Sequence, residues 1–239
     1  MLSSKPFLTV MSISSNTLPD SPTDEAPLVY LVDDQQVELD LMQRWCERGR
    51  FRTKTFDRPE NFFDAIDPET VGCVVADLRM PNVSGLELQR NLIAQGIQLP
   101  VILVTGHGDA ENCRAAFHQG VFDFIEKGFD AEQFLESIER AVRKNRRDRF
   151  RNQVRHQASK LLRLISPREH DVMMLLAGGA TLKTIAQELN ISVQTASKHR
   201  MSIFQKLQID NEVDLYKMLL AADIDLDNVQ LGHPNGGNN

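Results

Sequence analysis

From Leu28 onward, short apolar runs alternate with segments whose apolar residues recur every three or four positions. The runs are Leu28–Val32, Val71–Ala76, Val101–Val104 and Val121–Ile125, and Phe51–Phe56 adds a less apolar fifth. Between and after them, Val37–Trp45, Leu86–Ile93, Ala110–Gln119 and Ala131–Val142 carry helical spacing. Strands that alternate with helices predict an α/β fold with a doubly wound, five-stranded parallel sheet over residues 28–142. Residues 1–27 are rich in Ser, Thr, Pro and Asp and too poor in apolar residues to fold alone, so a disordered N-terminal tail is expected, with Met11 as an alternative start.

After Val142 the pattern changes. Arg143, Lys144, Arg146, Arg147, Arg149, Arg151 and Arg155 make residues 143–163 strongly basic, without Gly or Pro, which predicts an exposed helical linker. Ser166-Pro167-Arg168-Glu169 then supplies an N-cap, a Pro at the first helical position and a capping-box acid. That helix should end at Gly178-Gly179. Leu182, Ile185, Ala186 and Leu189 share one face of a second helix, and Ser192 caps a third that buries Ala196, Ile203, Phe204 and Leu207. A fourth from Asn211 to Ala222 completes an all-α, four-helix helix-turn-helix domain over 164–222, followed by a tail over 223–239.

The net charge of −6 conceals an asymmetry: residues 1–140 hold 12 Lys+Arg against 23 Asp+Glu, whereas residues 141–239 hold 15 against 10. Two domains with different partners are expected. Every apolar run is broken by charge well short of the ~18 residues a membrane span needs, so no membrane partner is expected. Cys46, Cys73 and Cys113 are odd in number and embedded in apolar segments, which points to reduced thiols and a cytoplasmic location.

Ligands of open parallel sheets bind at the carboxyl ends of the strands. There the apolar runs are followed by Asp33-Asp34, Asp77, Thr105 and Lys127. Three carboxylates crowded on one rim repel one another unless a cation neutralises them, and oxygen-only ligands suit Mg²⁺. With a Lys ammonium and a Thr hydroxyl beside them, they suit attack on a phosphoryl group. Phosphatases of the haloacid-dehalogenase type also use a strand-end Asp, but they need a second Asp two residues on, and Arg79 stands there.

Val32-Asp33-Asp34, Asp77-Leu78-Arg79-Met80-Pro81 with Gly85, Val104-Thr105-Gly106 and Phe124-Ile125-Glu126-Lys127 together resemble the receiver domain of bacterial response regulators, a flavodoxin-like fold. The resemblance implies that Asp77 accepts phosphate, that Asp34, Asp77 and the Arg79 carbonyl bind Mg²⁺ with Asp33 assisting through water, and that Thr105, Phe124 and Lys127 form the switch. The family usually has Pro after the lysine. Here it is Gly128, which implies a looser loop, and Gly128→Pro is expected to strengthen the dimerisation that follows phosphorylation.

On a helical wheel the third helix of the basic domain turns Gln194, Lys198, Met201 and Gln205 away from its buried side, with no acid among them. From Ser166-Pro167-Arg168-Glu169 to Lys206-Leu207 the segment resembles the LuxR-type DNA-binding domain, and with the receiver it resembles a response regulator of the NarL/FixJ class. By that resemblance Ser197, Lys198 and Met201 face bases, while Thr195, His199 and Arg200 touch phosphates; Gln194, often basic in the family, adds less. The wheel puts Arg200 near the buried side, so its head group must reach outward. The implied protein is a non-enzymatic, cytoplasmic transcription regulator. A sensor histidine kinase phosphorylates it, it forms a homodimer when phosphorylated, and it binds promoter DNA, with RNA polymerase a further partner. The alternative is a phosphate sink or protein-interaction switch whose C-terminal unit serves dimerisation.

Overall fold

Valine, isoleucine and leucine fill β1 (Leu28–Val32), β3 (Gly72–Asp77) and β4 (Val101–Thr105) so densely that both faces of these strands are buried. β2 (Arg52–Phe56) and β5 (Asp123–Glu126), which carry polar residues, form the edges of a sheet ordered β2-β1-β3-β4-β5, parallel throughout. This is a computed structural model describing residues 25–106 and 120–224, and it divides into one unit of Asp20–Arg149 and another containing Phe150–Asn239. The helix expected over Ala110–Gln119 lies outside the described residues, as do residues 1–24 and 225–239.

In the first unit, α1 (Gln36–Arg48), α2 (Pro59–Ala65) and α3 (Gly85–Ala94) follow β1, β2 and β3. Side chains alternate across β1: Tyr30 and Val32 join Phe62, Leu88 and Leu103 in one core layer, and Val29 and Leu31 join Leu39, Met42 and Phe134 in the other. The parallel register pairs Asp77 with Val104 and Thr105 with Glu126, so the ends of β3, β4 and β5 reach one rim.

The first unit departs from expectation in three places. α2 was not anticipated; Pro59 opens it and Phe62, fully buried, packs edge-on against Tyr30 at 5.5 Å between ring centroids. β5 begins at Asp123 rather than Val121, although Val121 is buried and the Phe122 N–H donates to the Val101 carbonyl. The expected N-terminal tail reaches less far, because Arg52 holds Glu25 by an ion pair and the carbonyls of Ala26 and Pro27 by hydrogen bonds.

The basic segment belongs to α4 (Ala131–Leu162), a single helix of 32 residues. It differs from an exposed linker at its buried positions: Asn145, whose side chain accepts from the Gly72 N–H and donates to the Gln98 carbonyl, and Val154 and Ala158, one turn apart in the core of the second unit. That unit contains α5 (Pro167–Ala177), α6 (Leu182–Glu188), α7 (Val193–Leu207) and α8 (Glu212–Ala221). Ser166, Thr181, Ser192 and Asn211 cap them in turn, and Ser166 with Glu169 forms the expected capping box. The expected C-terminal tail likewise starts later, since Ile224 packs on this core.

Candidate functional site

β1, β3 and β5 deliver Asp33, Asp77 and Lys127 to the same rim. Asp33 and Asp77 are both buried, and the Lys127 ammonium lies between them, 2.7 Å from Asp77 Oδ1 and 3.4 Å from Asp33 Oδ2. The remaining oxygens accept backbone N–H groups: Asp77 Oδ2 from Arg79 at 2.6 Å and Asp33 Oδ1 from Gln35 at 2.8 Å. Burial pushes the Asp33 carboxyl above its ordinary value, and the Gln35 N–H and Lys127 offset only part of that. For Lys127, burial opposes the charge, but the two carboxylates outweigh it and hold the ammonium above its usual range.

The loop after Asp77 is shaped by close packing. A Cβ on Gly85 would stand 2.5 Å from the Asp77 carbonyl oxygen, so only glycine lets the start of α3 come this near the strand end. Ser84 and Glu87 close a capping box there. Thr105 is buried at the end of β4, its hydroxyl donating to the Gly106 carbonyl at 3.2 Å, and its own carbonyl accepts the Lys127 N–H at 2.7 Å. Phe124 is half-buried on β5 beside the core.

Asp34 and the Arg79 side chain are exposed, and among the described residues no group of three His, Cys, Asp or Glu is assembled to hold a metal ion. The donor chemistry still fits a hard dication: two buried, mutually repelling carboxylates with oxygen donors only, and a cation already needed between them. Asp34 completes such a set only by turning inward from solvent. Gly128 adopts φ +103°, a conformation closed to proline, so Gly128→Pro would require this backbone to change rather than stiffen it as it stands.

In the second unit, α7 presents Gln194, Lys198 and Met201 outward; Met201 is 64% exposed despite its apolar chain. Thr195, Ser197 and His199 are half-buried on its flanks. Lys198 has no ion pair or hydrogen bond among the described residues. Arg200 is engaged: its Nε donates to Glu212 Oε1 at 2.7 Å, and its guanidinium lies 4.3 Å from the centroid of the Phe204 ring. Sequence reasoning missed the buried Glu169 as a link to α7. Its carboxylate accepts from Ser202 and Lys206, both at 2.6 Å, while capping α5. Burial raises this carboxyl, but the bonds from Lys206, Ser202 and Ser166 outweigh it and bring it down to about 2. The Arg200 hydrogen bond similarly lowers Glu212.

Residues 29–139 match the family described as response regulator receiver domain, and residues 163–219 match bacterial regulatory proteins of the luxR family. The transcriptional regulatory protein TdiR of Thauera aromatica is 33% identical, the match covering 84% of this chain and 88% of TdiR. FixJ of Bradyrhizobium diazoefficiens is 31% identical over 81% of this chain and 95% of its own. Among solved structures, the response regulator StyR superposes with a TM-score of 0.73 at 32% identity, covering 82% of this chain and 98% of StyR. Full-length FixJ from B. japonicum gives 0.53 at 31%, covering 82% and 97%. The rim of acids and lysine and the capped helix α7 therefore sit in a two-domain signalling regulator, not an enzyme. The chain belongs to the response regulators that join a receiver to a LuxR-type DNA-binding domain, homologous to the FixJ and TdiR transcriptional regulators of two-component systems.

Proposed function

We propose that Asp77 takes a phosphoryl group from a sensor histidine kinase, and that this controls promoter binding by α7. One observation carries the reading: a lysine ammonium bridging two buried carboxylates, one of them at the end of the central strand β3. An Asp77 oxygen forms the new bond to phosphorus as the donor's bond to phosphorus breaks, and Lys127 stands ready to pair with a phosphoryl oxygen. Receiver domains in general use Mg²⁺ for this step. Asp33, Asp34, Asp77 and the Arg79 carbonyl would hold it, and its chemistry is to neutralise the carboxylates against the incoming anion. The Thr105 hydroxyl then turns toward the phosphoryl group, vacating space for Phe124.

In the second unit, Ser197, Lys198 and Met201 read bases, with Gln194, Thr195 and His199 at the margins and phosphates, while Arg200 supports the helix from its side. Phosphorylated chains pair as a homodimer on a two-fold operator in the cytoplasm, where RNA polymerase is a further partner. The test is labelling with acetyl phosphate and Mg²⁺: wild-type protein takes up one phosphoryl group, and Asp77→Asn takes up none. Comparable label on the variant overturns the assignment. Gel shifts on promoter fragments at rising salt test the DNA half, with affinity falling steeply as counterions return.

A further inference from the structure

We propose that Phe129 is a positioning residue for Lys127, anchoring the loop that carries the ammonium. The proposal rests on the role given to Lys127 above. After β5 the chain passes through Gly128, which has a φ of +103° and surroundings so open that a Cβ added there would meet no atom within 4 Å. By itself such a residue would let Lys127 drift, because glycine gains more freedom than any other residue. The anchors lie on either side of it.

On the near side, the Lys127 N–H donates to the Thr105 carbonyl. On the far side, the Phe129 ring stacks on Phe134 at 5.5 Å between centroids with planes 19° apart. It also meets Trp45 at 5.5 Å with planes 66° apart. Trp45 stands 5.6 Å from Phe134, so the three rings close on one another and bind the loop to α1 and α4 together. Asp130 then fixes the chain's entry into α4, its carboxylate accepting the Gln133 N–H at 2.9 Å. One glycine is thus the single link between a reactive lysine and a three-ring anchor. A half-buried phenylalanine there does more than fill space: it fixes where the Lys127 main chain leaves β5, and so where its ammonium falls relative to Asp77.

The experiment is a double-variant cycle on the full chain, reading the initial rate of labelling by acetyl phosphate with Mg²⁺. Phe129→Ala is expected to slow labelling about tenfold in the wild-type background and less than twofold in a Lys127→Ala background, because a residue that acts through the lysine has nothing left to act on. Equal losses in both backgrounds, or none in either, overturn the proposal. If Phe129→Ala does not fold, Phe129→Leu, which keeps most of the apolar volume but not the stacking, replaces it in the same cycle. A second arm needs no phosphorylation. Amide exchange at Lys127 should quicken at least tenfold in the Phe129 variant while the amides of β3 keep wild-type rates; unchanged protection at Lys127 overturns the anchor. If wild-type protein takes no label at all, the phosphoacceptor reading fails, and the exchange arm still decides the anchor.

Discussion

The receiver rim and helix α7 use ion pairs to opposite ends. On the rim one ammonium serves two buried carboxylates, Asp33 and Asp77, so neither acid has a cation to itself. In the helical unit Lys206 pairs with Glu169 and Arg200 with Glu212, and these pairs tie α7 to α5 and α8. The rim thus shares one cation between two acids, while two of the three Lys and Arg residues of α7 are held by acids of neighbouring helices, leaving Lys198 on the outside. Positive charge on a DNA-binding helix is therefore no direct measure of its phosphate contacts; the partner inside the fold decides.

The sharpest way to disturb the rim alone is Gly128→Pro. Proline fixes φ at about −65°, against +103° here, so the loop must be rebuilt at a cost of about 3 kcal/mol. Thermal melts should show the receiver unit destabilised by that amount with the helical unit unchanged. Labelling should slow as well. A variant that melts like wild type would mean the loop adopts a second backbone path at little cost.

The matching disturbance of the helical unit is Glu169→Gln, which leaves Lys206 without its carboxylate. A buried, charge-assisted hydrogen bond contributes about 2 kcal/mol once the solvent reaching Lys206 is allowed for. The pH dependence follows from the carboxyl's descent from 4.5 to about 2 on folding. A depressed carboxyl binds fewer protons folded than unfolded, so its stabilisation is complete above about pH 4.5 and fades as the pH falls toward 2. Denaturant titrations of wild type and variant should therefore converge through that window; a constant difference down to pH 2 would assign the loss to something other than the charge.

What could be read in advance divides along the same line. The rim was legible because a parallel sheet brings successive strand ends together, so Asp33, Asp77, Thr105 and Lys127 needed only correct strand assignments. In the helical unit the caps Ser166 and Ser192 were legible because each is local, whereas Thr181 and Asn211 emerge as caps only from the structure. α2 escaped because seven residues are too few to establish a period. Burial of Val154 and Ala158 was hidden under the dense arginines, although Phe150, Val154, Ala158 and Leu161 do repeat at helical spacing. The second role of Glu169 could not be read at all: its partners lie 33 and 37 residues away, and only packing brings them together.

Lys198 and Arg200 sharpen the comparison within one helix. Lys198→Ala should cost about 1 to 2 kcal/mol of affinity on a cognate duplex, with little effect on melting, since its head group is exposed and unpaired among the described residues. Equal loss on random duplexes would make it a phosphate contact instead.

The smallest effect, and the most informative about the Arg200–Glu212 pair, is expected at Arg200→Gln. Glutamine can still reach toward Glu212 but loses the charge, and with it the interaction across the face of Phe204. A partly exposed ion pair and a cation–π contact together contribute about 1 kcal/mol. That loss should appear in the stability of the helical unit. The slope of log affinity against log salt counts the phosphates neutralised, so it should stay at its wild-type value if the guanidinium remains with Glu212 on DNA. A slope shallower by about one unit, with stability unchanged, would mean that Arg200 leaves Glu212 for a phosphate when the helix docks, and the division between cations held inside and cations offered outside would then apply only to the free protein.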